Sequence, residues 1–228
     1  MTVSEGRRVA ALLLSGAPAV AGCPPGVSRA AFAQALAEDV ADLIAELPGL
    51  DAAVAFTPRH LAVAEAVRWP GTELVALPDG AGARAALDRL GELGYEAGAV
   101  IAPDTPDLPG LLIAKVFAGL ASASAVAVPA LPPGRLDLPT LARGPAGGES
   151  SSGGLAALGC RLPAPEWLDA DLADLDRTDA VVRLRAAAPR RDLVVTPAWR
   201  RLRTPADVGG LDPDLEGWEA TRALLSSR

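Results

Sequence analysis

The sequence predicts an α/β fold: a three-layer α/β/α sandwich with a mainly parallel central sheet. Apolar runs of about four to eight residues alternate with longer segments in which apolar residues recur at helical spacing, and this alternation is typical of βαβ units. Hydrophobic residues make up 50% of the 228 residues, so the chain can bury a sizeable core. The 23 Gly and 21 Pro predict many tight connections. We interpret residues 1–228 as a single domain.

The predicted strands are short segments rich in Val, Leu, Ile and Ala, most of them bounded by residues that favour turns. They are residues 9–14, 52–56, 73–77, 99–102, 125–128, 155–160 and 192–196.

The predicted helices lie between and after these strands. The clearest begins after Ser28, a preferred N-cap residue, and ends at Pro48-Gly49. It carries one apolar stripe that we expect to pack on the sheet: Phe32, Leu36, Val40, Leu43, Ile44 and Leu47. A second helix is predicted over residues 82–93, a third begins with Pro109 in its first turn, and a closing helix covers residues 215–225.

A segment rich in Gly, Ser and Pro interrupts this pattern at residues 129–154. Such a composition does not pack a core, so it predicts a flexible loop within the domain. Beyond the loop, Thr204-Pro205 is interpreted as a short turn, and the arginines from Arg183 to Arg203 as solvated surface.

Composition excludes several classes of function. The formal net charge is −7, whereas a protein that binds the phosphate backbone of nucleic acid shows a basic excess, so we expect no nucleic-acid partner. His60 is the single histidine, which excludes zinc sites built from several histidines. We expect it to be a capping or surface imidazole.

Cysteine usage and the first apolar run predict a cytoplasmic protein. Cys23 and Cys160 are the two cysteines, and they form no C-x-x-C pair, which is typical of a reduced compartment. The apolar run at residues 9–14 is too short for a signal peptide or for a membrane span, which needs about 20 residues.

Asp104 is the candidate metal ligand. The predicted strand at 99–102 runs directly into Asp104 and Asp107, and open parallel sheets bind ligands at the carboxyl ends of their strands. A carboxylate in that place suits Mg²⁺ or Mn²⁺. Two simpler interpretations stay open: Asp104 caps the turn at Thr105-Pro106, and Asp107 caps the helix near Pro109, which we favour for Asp107.

Two glycine-containing segments are candidate nucleotide sites. Residues 80–85 fit the pattern G-x-G-x-x-A with Asp104 about twenty residues further on, as in dinucleotide-binding proteins. However, Pro78-Asp79 separates the first glycine from the strand. The loop at residues 15–29 is rich in small residues and leads into a helix start that offers N–H groups to an anion, although it is equally compatible with a plain connection.

Taken in order, these segments resemble the bacterial domain of unknown function 2064, a family of glycosyltransferase-like proteins with the nucleotide-diphospho-sugar transferase (GT-A) fold. Residues 101–109 look like its G-[ST]-D-x-P-x-L segment, residues 153–159 like its D-G-G-Y-x-x-x-G segment, and residues 203–208 like its D-T-P-x-D-L segment. The resemblance implies a metal at Asp104. It also implies a nucleotide-binding role for a second set of residues: Ser15, Gly16, Ala17, Pro18, Arg29, Gly153 and Gly154.

Several positions depart from that family's pattern. Its first loop is basic, whereas here only Ala17-Pro18 matches it and Arg29 is the one nearby cation. Ser152 stands in place of the aspartate of D-G-G, and Arg203 in place of the aspartate before T-P. The diphosphate clamp that the resemblance implies is therefore mostly missing.

The leading hypothesis is a transferase of glycosyl or nucleotidyl groups that uses Mg²⁺ or Mn²⁺ and a nucleotide or a nucleotide-diphosphate sugar. The altered first loop favours an alternative, a non-catalytic relative that acts as a binding or scaffold protein. The G-x-G-x-x-A segment leaves a second alternative, an oxidoreductase that binds NAD.

Overall fold

The computed structural model of the chain describes residues 6–16, 22–133 and 153–227, and in this part of the chain seven strands form one sheet. The strands are β1 (Arg8–Leu14), β2 (Asp51–Phe56), β3 (Glu73–Ala76), β4 (Ala97–Ile101), β5 (Ala125–Pro129), β6 (Leu155–Arg161) and β7 (Leu193–Val195). They lie in the order β3-β2-β1-β4-β6-β5-β7.

The sheet is mainly parallel, as the sequence predicts. Strand β1 pairs in parallel with β2 and β4, β2 with β3, and β5 with β7, whereas β6 runs antiparallel to both β4 and β5. In the centre, Leu12 lies opposite Val54 on one side and Ile101 on the other. The carboxyl ends of β1 to β4 therefore meet at one edge of the sheet, where open α/β folds bind ligands.

The helices connect these strands and follow the last of them. They are α1 (Arg29–Glu46), a 3₁₀ helix (Pro58–His60), α2 (Leu61–Ala66), α3 (Ala83–Glu92), α4 (Gly110–Gly119), α5 (Ala180–Ala187), α6 (Pro205–Gly209) and α7 (Glu219–Ser226). None of the helices among the described residues is long and apolar enough to cross a membrane.

Two apolar layers cover the two faces of the sheet, because successive side chains of a strand point to opposite faces. On β1, Val9, Ala11 and Leu13 pack with buried side chains of α3 and α5, such as Leu87 and Leu184. The intervening residues of β1 pack in a second cluster with buried side chains of α1 and α4. The three-layer arrangement is thus confirmed.

A third, smaller cluster joins α1 to the C-terminal segment. Its buried members are Phe32, Leu36, Leu202, Val208, Leu211 and Trp218. This cluster holds the segment that follows β7 against α1.

The helix predicted after Ser28 is confirmed, and the Ser28 hydroxyl accepts a hydrogen bond from the Ala31 backbone N–H at 3.4 Å.

The interpretation of Thr204-Pro205 as a turn is wrong. These residues open α6 with a capping box, in which Thr204 and Asp207 each bond the other's backbone. The closing helix starts at Glu219, and α5 is a helix that the sequence analysis did not predict. Most of the predicted loop, residues 134–152, lies outside the described residues.

Asp39 joins α1 to α7. Its buried carboxylate accepts hydrogen bonds from the backbone N–H groups of Ala220 at 2.8 Å and Thr221 at 3.0 Å, in the first turn of α7. Burial raises the pKa of this carboxyl to about 6, and the bonds from Thr221 and Ala220 offset only part of that effect.

We therefore predict that Asp39 makes the stability of the protein depend on pH. Because the pKa in the folded state lies above the ordinary value of 3.8, the contribution of Asp39 is complete below about pH 4 and falls as the pH rises through 6. The free energy of unfolding of the wild type, relative to Asp39→Asn, should fall by up to about 3 kcal/mol between pH 4 and pH 7. Urea unfolding at both pH values measures this. Glu38→Gln, on the same helix, should show no such change, and an equal pH dependence in both variants would contradict the prediction.

Candidate functional site

A cavity of about 720 Å³ opens at the edge where the carboxyl ends of β1 to β4 meet. Ser15 and Gly16 border it after β1, Arg59 after β2, and Asp104 after β4. The turn before α3 and residues from the segments 170–176 and 201–203 complete the wall. The cavity lies where the sequence predicts the site.

The charged groups that line the cavity are all guanidinium or carboxylate groups. They are Arg59, Arg84, Arg201, Arg203, Asp104, Asp171, Asp174 and Asp176. Among the described lining residues there is no His, Lys, Cys, Glu or Tyr. These residues therefore supply charge and hydrogen bonds, but no side chain that acts as a base with an ordinary pKa near neutrality.

Asp104 is buried, and both of its carboxylate oxygens contact guanidinium groups. Oδ1 accepts a hydrogen bond from Arg201 Nε at 2.5 Å, and Oδ2 accepts one from Arg203 Nε at 3.4 Å. The backbone carbonyl of Asp104 also accepts a bond from the Leu202 N–H at 2.8 Å. The residue that the sequence singles out is thus held on both sides by one short C-terminal segment.

Arg201 is almost completely buried and connects four parts of the chain. Besides Asp104, its guanidinium bonds the carbonyl oxygens of Leu155 at 3.0 Å and Leu175 at 2.9 Å, and it lies 2.9 Å from the Asp176 carboxylate. Because these acceptors belong to separate segments, Arg201 acts as a structural cross-link behind the cavity.

Arg203 lies nearer to solvent. Its side chain is 23% exposed, donates to the Gly153 carbonyl at 3.1 Å and forms an ion pair with Asp176, whose side chain is 69% exposed. Arg203 therefore has one side against the buried Asp104 and one side against an exposed carboxylate.

The surroundings of Asp104 do not fit a resident Mg²⁺ or Mn²⁺. Such an ion needs several oxygen ligands, whereas each oxygen of Asp104 accepts from a guanidinium group, whose positive charge would repel the ion. Within the described ranges, no group of three or more His, Cys, Asp or Glu side chains is arranged to hold a metal ion. The assignment of Asp104 as a metal ligand stays a prediction that these contacts do not favour.

The residues predicted for the first loop fall into three groups. Ser15 and Gly16 line the cavity. Ala17 and Pro18 lie outside the described residues. Arg29 is the exposed first residue of α1 and is not part of the cavity wall.

Gly153 and Gly154 are buried beside the site rather than in the cavity wall. A Cβ on Gly153 would lie 2.3 Å from the Leu131 carbonyl oxygen, and one on Gly154, whose φ is +98°, would lie 2.4 Å from that of Leu175. These two glycines are thus required by close backbone packing. Gly153 reaches the site through its carbonyl, which accepts the bond from Arg203.

The G-x-G segment does border the cavity. Gly80, with φ of +76°, and Gly82 lie in the turn before α3, and the first three residues of α3 also line the wall. Gly82 is the N-cap and supplies no side-chain acceptor, so the N–H groups of the first turn keep their partial positive charge toward this region.

Arg84 and Arg59, both in the cavity wall, differ in whether their guanidinium groups are free to bind a ligand. Arg84 is fixed by both oxygens of Asp88 at 2.9 Å and by the carbonyl of Leu168. Arg59 is exposed and makes no hydrogen bond or ion pair with the described residues. Arg59 is therefore a cation available to a ligand.

His60 is neither a surface imidazole nor a helix cap through its side chain, contrary to expectation. It is buried, and its Nδ1 lies 2.9 Å from the Thr57 hydroxyl. Burial, together with the nearby charge of Arg59, lowers the pKa of this imidazole below its usual 6.5. The ring is thus neutral at pH 7.

Asp107 does not cap a helix, and the preferred interpretation is wrong. It is buried, accepts from Arg200 Nε at 2.6 Å and from Trp199 Nε1 at 3.2 Å, while Pro109 is the N-cap of α4. Consequently Arg200, like Arg201 and Arg203, is not part of a solvated face. The sequence contains a signal for these ion pairs. Two carboxylates three residues apart at the end of a buried strand need cations, and the R-R-x-R run at 200–203 supplies them.

We predict that Arg201 is required for stability. Arg201→Met would leave the Asp104 carboxylate with one buried partner fewer and would remove the donor from two carbonyl groups, so a loss of about 3 to 5 kcal/mol in the free energy of unfolding is expected. Urea denaturation measures it, with Arg89→Met, an exposed arginine on α3, as the control. A loss below about 1 kcal/mol, as for exposed ion pairs, would show that Arg201 is not a cross-link.

The chain is similar in fold to several solved structures. It has 17% sequence identity to a protein assigned as a nucleotide-diphospho-sugar transferase from Desulfovibrio desulfuricans G20, with a TM-score of 0.64 over 96% of this chain and 97% of that one. For CMP:2-keto-3-deoxy-manno-octonic acid synthetase complexed with CTP, the identity is 12% and the TM-score 0.52, over 97% and 99% of the two chains. For Rv0371c of Mycobacterium tuberculosis H37Rv in complex with manganese, they are 18% and 0.50, over 97% and 98%.

These similarities establish the fold and leave the ligand open. No protein-family model matches the chain, and the search of curated proteins found no match. The resemblance to the domain of unknown function 2064 therefore stays a prediction. The architecture is that of the nucleotide-diphospho-sugar transferases.

Proposed function

We propose that the chain binds a nucleotide or a nucleotide-diphosphate sugar in the cavity at the carboxyl edge of the sheet and uses it as the donor of a glycosyl or nucleotidyl group. The observation that carries this proposal is the placement of the cavity. It lies at the edge where β1 to β4 end, in a fold shared with nucleotide-using transferases.

The size of the cavity supports a ligand of this class. Its volume of about 720 Å³ falls in the range of roughly 300 to 1,000 Å³ that is usual for small-molecule and cofactor sites. The wall is mixed, with small residues in the turn before α3 and charged residues opposite, which suits a ligand with both a flat base and phosphate groups.

The hydrogen-bond donors on the wall support a phosphate group in particular. The first turn of α3 has no side-chain cap, and Arg59 has no partner among the described residues. Gly82 leaves open space beside that turn, since no heavy atom lies within 4 Å of a Cβ built there. Donors without acceptors at the edge of a cavity are suited to an anion.

A second candidate is a non-catalytic protein that binds the same ligand. The lining residues that the structure describes offer no imidazole, thiol or amine, and Asp104 is paired with arginines. In this alternative the fold and the cavity are retained for binding, and no group is transferred. Use of Mg²⁺ or Mn²⁺ would favour the transferase, because a divalent ion stabilises the charge of a leaving diphosphate.

We expect at least one nucleotide of a panel to raise the melting temperature of the wild type and to give a saturable heat of binding. The panel contains CTP, UTP, GTP, ATP, UDP-glucose and GDP-mannose, each with and without Mn²⁺, and NADH as the test of the dinucleotide alternative. Gly82→Phe should abolish that binding, because the ring fills the open space at the start of α3. Release of diphosphate or free nucleoside diphosphate, in the presence of candidate acceptors, distinguishes the transferase from the binding protein.

Gly209→Phe is the matched control, since Gly209 lies in α6 with no heavy atom within 4 Å of a Cβ and does not line the cavity. It should bind as the wild type does. Binding of NADH alone, or nucleotide binding that survives Gly82→Phe, would refute the proposal.

A further inference from the structure

The structure places a guanidinium group where the sequence predicts a metal ion. Arg203 contacts Asp104 on one side and Asp176 on the other, so two carboxylates share one cation at the wall of the cavity. Arg201 contacts the same two carboxylates from behind. The four groups carry two positive and two negative charges.

A divalent cation added to this cluster would lie beside two guanidinium groups. An ion bound to an oxygen of Asp104 would be repelled by the guanidinium group that donates to that oxygen, and Arg201 cannot move away, because it is buried and bonded to the carbonyls of Leu155 and Leu175. Removing a partner from a buried charge is strongly unfavourable. The cluster is therefore better suited to an anion that approaches Arg203 than to a cation that approaches Asp104.

Asp176 is the exposed carboxylate of the set, and it contacts both Arg203 and Arg201. The Asp176 side chain is 69% exposed, whereas that of Asp104 is 3% exposed. An ion pair that water reaches contributes little, so Asp176 can leave Arg203 at small cost while Asp104 cannot. Without Asp176, the remaining three groups carry a net charge of +1 at the wall of the cavity.

We propose that the cavity binds the phosphate groups of its ligand without a divalent cation, and that Arg203 supplies the positive charge that a phosphate meets when it displaces Asp176. This inference rests on the proposed function, since it names how the same cavity holds the same class of ligand. Arg203 is a phosphate-binding residue in this arrangement, and Arg201 and Asp104 position it.

The test uses inorganic pyrophosphate as the probe, titrated into the full chain by calorimetry in buffer with EDTA and no added metal. The wild type should bind it. Asp176→Asn should bind it about two to ten times more tightly, because the competing carboxylate charge is gone. Arg203→Ala should bind it at least about tenfold more weakly, since charge-assisted hydrogen bonds to phosphate are the strong ones.

The direction in which Asp176→Asn changes the affinity for pyrophosphate distinguishes a metal-free phosphate site from a metal site. If Asp104 and Asp176 were metal ligands, the same change would weaken binding, and binding would require Mn²⁺. Asp176 is exposed, so this variant should fold as the wild type does, which circular dichroism and thermal unfolding check for both variants. Asp179→Asn, a nearby exposed aspartate paired with Arg177, and Arg89→Ala are the matched controls and should leave the affinity unchanged.

Several results would overturn the proposal. They are binding of pyrophosphate and nucleotide only when Mn²⁺ is present, an unchanged or weaker affinity in Asp176→Asn, and an unchanged affinity in Arg203→Ala. The first of these leaves the proposed function intact, because a ligand is still bound in the cavity. If the wild type binds neither pyrophosphate nor any nucleotide of the panel, with or without Mn²⁺, both the proposed function and this inference fail.

Discussion

The arrangement of the site depends on the buried carboxylate of Asp104 and its need for a counter-charge. Asp104 follows β4 and is buried, and a charged side chain that is removed from water needs a group of opposite charge beside it. Arg201 meets this need and extends the same guanidinium to the carbonyls of Leu155 and Leu175. One cation thus ties the end of β4 to the start of β6, to the loop before α5 and to the C-terminal segment.

This cross-link also explains why residues 201–203 form one wall of the cavity. The segment at 201–203 would otherwise be an ordinary connection, but Asp104 draws it against the carboxyl edge of the sheet. The third apolar cluster supports the segment from outside, where Leu202 packs with Phe32 and Trp218. A polar contact and an apolar one therefore fix the same few residues, and Arg203 is left at the boundary between protein and cavity.

The sequence was sufficient for the layers and for the place of the site, because both follow from local patterns. A continuous apolar run such as Val9 to Leu14 identifies a strand buried on both faces, and Asp104 after another strand marks the ligand edge. The partners of Asp104 were not predictable in the same way, since Arg201 and Arg203 are 97 and 99 residues away. A run of arginines has the same composition on a solvated face as in a buried network. Similarly, the resemblance implies a nucleotide-binding role for Gly153 and Gly154, whereas their close backbone contacts with Leu131 and Leu175 explain why these residues are glycines.

Arg203 is one of the positions at which the chain differs from the family that it resembles, and it lies in the cavity wall beside Asp104. If an aspartate stood there, as the resemblance implies, the wall would hold Asp104 beside a second carboxylate and would need a cation from solution. Arginine in its place changes the local charge by two units, which equals the charge of one divalent ion. The same change occurs in a chain whose first loop lacks the lysines of the resembled pattern. In the proposed arrangement the positive charge that meets the phosphate belongs to the side chain of Arg203, so a chelator should not affect phosphate binding.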